Sequence, residues 1–116
     1  MEMLLSDQEL EIQFQVENFV LKTQQQIAKD FYSSRITFDS EFENKQLSYN
    51  EIIEAISQKL AEIMSLGETQ LLQLLYQIDI SQSQFLELVE NPDFVEKLSE
   101  LVVRREAYKV YLRSQF

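Results

Sequence analysis

Cysteine and histidine are both missing from this sequence, and glycine and proline occur once each. The first two absences remove the thiolate nucleophile, the imidazole general base, any disulfide, and the thiolate and imidazole ligands of metal sites. Any catalysis would have to rest on carboxylates, tyrosine or lysine, so no catalytic residue is assigned and an enzyme is the least expected class. No metal or cofactor is expected. A single glycine cannot build a glycine-rich phosphate loop. Turn-rich sheet proteins are punctuated by glycine and proline, so an all-β fold is not expected either. No stretch approaches the roughly 18 consecutive apolar residues that span a bilayer. The start, Met1-Glu2-Met3-Leu4-Leu5-Ser6-Asp7, has neither the basic segment nor the apolar core of a secretory signal. Together with the absence of cysteine this gives a cytoplasmic expectation, with no membrane partner.

What is present is apolar enough to fold: 45% of the 116 residues are hydrophobic and 26% charged. That is the composition of one globular domain spanning 1–116. The net charge is −10, which disfavours general binding to nucleic acid or to anionic membranes. The charge is unevenly distributed. Residues 104–116 hold four of the ten basic side chains and one of the twenty acids, so the last segment is basic and the rest strongly acidic. Such asymmetry acts on partner choice and encounter rate rather than on fold.

Helix signals are clearest in the second half. Ser48-Tyr49-Asn50-Glu51 is a capping box, which predicts a helix starting at Tyr49. Ile52, Ile53, Ile56, Leu60, Ile63 and Met64 then recur with a period of 3.6, and Gly67 stands where a left-handed residue would stop the helix. A short helix opens near Glu68 and presents Leu71, Leu72, Leu74, Leu75 and Ile78. Ser81-Gln82-Ser83-Gln84 is a second capping box, leading into Phe85, Leu86, Leu88 and Val89. Asn91-Pro92-Asp93 predicts the start of the last helix, with Asn91 as cap and Pro92 in the first turn. That helix places Phe94, Val95, Leu98, Leu101, Val102, Tyr108 and Leu112 on one broad face, with Arg105 and Lys109 in the same sector. Val103, Ala107 and Val110 fall on the far side, which implies packing between neighbours or a patch left for a partner.

The first third carries conflicting signals. Glu9 to Glu17 alternates polar and apolar, the period of a strand, whereas Ser6-Asp7-Gln8-Glu9 is another helix start. The expectation adopted is one long helix from Asp7 to Tyr32. Its stripe would be Ile12, Val16, Phe19, Val20, Ile27 and Phe31. Leu10, Phe14, Leu21 and Ala28 would form a second apolar side, a candidate homodimer face. Residues 33–47 form an irregular connection anchored by Ile36, Phe38, Phe42 and Leu47, with room for a brief extended segment at Ile36 and Phe38.

Two acidic patterns fail as sites. Asp39, Glu41 and Glu43 fall at positions 1, 3 and 5 of a calcium loop, but Asn44 replaces the turn glycine and Asn50 the bidentate acid. The pairs Asp7/Glu11, Glu51/Glu54 and Glu96/Glu100 lack the histidines that complete helical metal sites. The stronger candidates are Arg104, Arg105, Lys109 and Arg113 with Tyr108 and Tyr111, a set able to clamp an acidic surface or, less consistently with the overall charge, a nucleic acid. Arg105, on the core-facing sector, would need an internal partner. The expected fold is all-α, a single bundle-like domain of about five helices, three long and two short. The expected role is a non-catalytic protein–protein interaction module binding a protein partner or itself as a homodimer. The alternatives are an acidic decoy or chaperone-like binder of a basic protein, and a nucleic-acid-associated protein using the basic C-terminal helix.

Overall fold

A computed structural model describes residues 6–16 and 18–115. Among the described residues the chain is all-helical, with no strand and seven α-helices rather than five. They are α1 (Asp7–Gln13), α2 (Phe19–Tyr32), α3 (Ser40–Asn44), α4 (Tyr49–Met64), α5 (Glu68–Ile78), α6 (Gln82–Leu88) and α7 (Phe94–Gln115). The side chains of Asp7 and Leu10 lie outside what is described, and with them the Asp7/Glu11 pair and the placing of Leu10 on a second apolar side.

The expected long first helix is broken. Asn18 takes a left-handed conformation with φ 65°, which asparagine tolerates better than most residues. Short-range bonds close the turn before it, from the Val16 amide to the Gln13 carbonyl and from the Phe19 amide to the Val16 carbonyl. The break answers the conflict in the sequence, because apolar residues at every second position cannot all reach one face of a helix. After it, α2 buries Phe19, Val20, Ile27 and Phe31, whereas Ile12 and Val16 of the expected stripe are more than half exposed. From the expected second side, Ala28 is buried and Phe14 turns inward against Phe19 and Tyr49.

Residues 33–47 follow the core closely. Ile36, Phe38 and Phe42 are buried, and the Phe38 and Phe42 rings stack at 4.1 Å. No extended pairing forms at Ile36 and Phe38. Asp39, first residue of the calcium-like pattern, instead caps α3 by accepting the Phe42 amide hydrogen bond at 3.0 Å, as a short polar side chain at this position does. The segment is held by one buried side chain of α2: Gln24 Nε2 donates to the Phe42 and Lys45 carbonyls at 2.7 and 2.8 Å, and its Oε1 accepts from the Leu47 amide at 2.9 Å. Gln24 is thus satisfied without water, and it pairs backbone groups at and beyond the end of α3, the short helix that stands within the expected irregular connection.

The capping boxes at Ser48/Glu51 and Ser81/Gln84 form as expected and start α4 and α6. Ile52, Ile56, Leu60 and Ile63 point into the core from α4, and Leu71, Leu74, Leu75 and Ile78 from α5. Gly67 is not a left-handed stop. Its φ of 127° with ψ of 164° makes it the residue before α5, in a region that is essentially closed to other residues. The last helix begins two residues later than expected, because Asn91 folds a turn on itself: its Oδ1 accepts the Asp93 amide and its carbonyl accepts the Phe94 amide. Of the two readings of α7, packing between neighbours is what forms. It packs chiefly against α2 and α4 and also touches α1, α5 and α6, so Leu98, Val102, Val103 and Ala107 are all fully buried. At the α4 crossing, Ser99 donates to the Val95 carbonyl, which leaves its oxygen to accept from Ser57 at 2.9 Å, within the capacity of one hydroxyl.

Candidate functional site

A rotation of about 100° per residue divides the six C-terminal candidates between two sectors of α7, Arg104, Tyr108 and Tyr111 on one and Arg105, Lys109 and Arg113 on the other. The contacts follow that division except where Arg105 reaches across to Tyr108. Arg104 borders a shallow groove with Tyr49, Glu87 and Glu100. Tyr108 and Tyr111 are half-buried against Phe19, Ala107 and Val110. Arg105 is 8% exposed, in keeping with its core-facing sector. Its guanidinium carbon lies 5.8 Å from the centre of the Tyr108 ring, within the range of a cation–π contact. The six therefore do not form one patch.

Lys109 is committed to the interior. Its Nζ donates to Asp30 Oδ2 at 2.8 Å and to the Gln77 carbonyl at 3.0 Å, and lies 3.4 Å from Glu106 Oε1. Asp30 also accepts from Gln26 Nε2 at 3.1 Å, and Gln26 Oε1 accepts from Arg113. A polar chain thus runs from Arg113 at the surface through Gln26 to Asp30, Lys109 and Glu106, joining α2, α5 and α7.

Two carboxyls share one ammonium there, and their surroundings divide them. Burial pushes Glu106 up, the neighbouring Asp30 adds to it, and its pKa reaches about 10, so it is a neutral acid near pH 7. Burial also pushes Asp30 upward, but hydrogen bonds from Glu106, Lys109 and Gln26 and the Lys109 charge outweigh it, and Asp30 ends below the ordinary carboxylate value. Lys109 is raised: its burial opposes the charge, but the bond to Asp30 and the two carboxyls outweigh that. The cluster therefore carries one negative and one positive charge. With Glu106 fully buried and Asp30 3% exposed, it binds helices together and offers no carboxyl to a substrate.

The open site lies beside it. A cleft of about 420 Å³ runs between the end of α1, the exposed side of α2 and the end of α7. Its apolar part is Val16, Phe19 and Val110, and its charged border is Lys22, Lys29 and Arg113. Lys22, Gln25, Gln26 and Lys29 recur along it at the spacing of one helical face, with amides between the two cations. No acid is found among the described residues lining it. Of the six candidates only Arg113 belongs to this cleft. The lysines of α2 were legible as a face in the sequence, but they lie among the first 103 residues, whose summed charge is acidic, so only their approach to α7 marks them. Among the described residues no group of three or more Asp and Glu side chains is placed to hold a metal ion, and no helix is long and apolar enough to cross a membrane. No family model, no curated protein and no solved structure matches the chain.

Proposed function

We propose that the protein is a non-catalytic interaction module that binds another protein through the cleft between α1, α2 and α7. The observation that carries this reading is the contrast between two sets of charges. Asp30 and Lys109 neutralise each other inside the fold, whereas Lys22, Lys29 and Arg113 border an apolar trough open to solvent. An apolar centre with a polar or charged rim is the usual anatomy of a recognition surface. Nucleic-acid binding through the C-terminal helix gains less support, since Lys109 is paired internally, Arg105 is buried, and Arg104 and Arg113 face different sectors.

The test is affinity capture followed by reconstitution from purified components. A partner that forms a complex of fixed stoichiometry in sedimentation experiments supports the module. A homodimer is the second reading, favoured by the exposed Ile12 of α1 and by Val16, which lines the cleft. If no protein forms such a complex and the chain sediments as a dimer at every salt concentration, the module reading is abandoned for a structural subunit.

A further inference from the structure

We infer that the cleft takes a short acidic segment of the partner protein, with an apolar side chain seated between Val16, Phe19 and Val110 and carboxylates reaching Lys22, Lys29 and Arg113. This rests on the interaction-module reading and names the chemistry of its partner.

Charge complementarity selects the occupant. The protein has twice as many acids as bases, yet three of its ten cations border this one trough, and no acid lines it among the described residues. Lys22 and Lys29 are exposed and stand in none of the ion pairs found among the described residues, so their charges are available to a ligand. Arg113 is held differently. Its hydrogen bond to Gln26 Oε1 ties the guanidinium to α2, which reduces the ordering needed when a carboxylate arrives.

The dimensions suit a peptide. Lys29 follows Lys22 by seven positions of helix, a rise of about 10 Å. On an extended chain two carboxylates four residues apart share a face with the residue midway between them and lie about 13 Å apart, a difference from the lysine spacing that the long, flexible Glu and Lys side chains take up. A long polyanion would have to continue past the cleft over a surface of like charge, which a short segment avoids. The apolar floor also gives a reason for a hydrophobic residue between the acids, which a nucleic-acid backbone does not supply.

The experiment is an NMR titration of the ¹⁵N-labelled protein with the synthetic pentapeptide acetyl-Glu-Glu-Leu-Glu-Glu-amide. Saturable shifts are expected at the amides of Lys22, Gln25, Gln26, Lys29 and Arg113. Affinity should fall about tenfold or more between low and high salt, and similarly in Lys22→Gln/Lys29→Gln. Both lysines are exposed, so the variant keeps its fold, which its melting temperature and spectrum verify. The proposal is overturned if no saturable shift occurs, or if the peptide with Gln in place of Glu binds equally well. It is also overturned if a single-stranded oligonucleotide or a second copy of the chain occupies the same amides more tightly. Should the peptide fail while Lys22→Gln/Lys29→Gln still forms the complex with a captured protein, the acidic-segment assignment falls and the module reading stands. Should the wild-type chain form no complex with any protein, both fall.

Discussion

Glu106→Gln should stabilise this protein, and increasingly so as pH rises. In the unfolded chain Glu106 ionises near its ordinary value of 4.5, while in the fold, buried beside Asp30, it holds its proton up to about pH 10. Between those values the folded state binds one proton more than the unfolded state, so every pH unit shifts the equilibrium toward unfolding by up to tenfold. At pH 7 the accumulated cost is about 3 kcal/mol as an upper bound, a large share of the stability of about 5–15 kcal/mol usual for a domain. Glutamine has nearly the shape of the neutral acid and can offer an N–H where the acid offered its proton, but it has no charge to gain on unfolding. The variant should match the wild type near pH 4.5 and exceed it by up to about 3 kcal/mol at pH 7. The other two groups act outside that window. Asp30, whose pKa is lowered, loses its contribution only as pH falls through a folded value below 3.8. Lys109, whose pKa is raised, keeps its contribution below 10.5 and loses it as pH rises through a still higher folded value. Urea unfolding of both proteins at unit steps from about pH 5 to 9 reads the effect directly. Stability curves that stay parallel across that range, whatever their offset, would show that Glu106 is ionised in the fold and refute the reasoning.

The other contacts give sharper losses. Lys109→Met leaves the Asp30 carboxylate buried without its cation and should cost about 3–5 kcal/mol, measured by denaturant unfolding near pH 7; a loss below about 1 kcal/mol would mean that Asp30 takes up a proton instead. Gln24→Leu strands the carbonyls of Phe42 and Lys45 and the amide of Leu47, so about 2–4 kcal/mol should be lost. In that variant hydrogen exchange of the Leu47 amide should accelerate well before α4 opens. Gly67→Ala forces a side chain into φ 127° with its Cβ 3.0 Å from Gln70 Oε1. A cost of about 1–3 kcal/mol is expected in thermal or chemical unfolding. An unchanged midpoint would mean that the α4–α5 junction relaxes freely.

Much of the second half was legible because its signals are local. A capping box joins residues three positions apart and an amphipathic stripe joins residues three or four apart. Ser48/Glu51, Ser81/Gln84 and the isoleucines of α4 therefore announce their roles before any packing is known. The candidate site was legible only in part. A cation excess near the C-terminus pointed to α7, but nothing local distinguishes Lys109, which is paired inside, from Arg113, which borders the cleft.

By itself, then, the sequence determined an all-helical chain, the starts of α4, α5 and α6, and the exclusion of thiol and imidazole chemistry. Tertiary structure decided the break at Asn18, the fastening of residues 33–47 by Gln24, and the separation of the basic tail into interior and surface charges. It also decided which carboxyl gives up its charge. Asp30 and Lys109 are 79 positions apart, and their meeting depends on how α2 and α7 are rotated and placed against each other. That placement is set by the summed packing of the whole core, and a pattern of neighbours along the chain does not contain it.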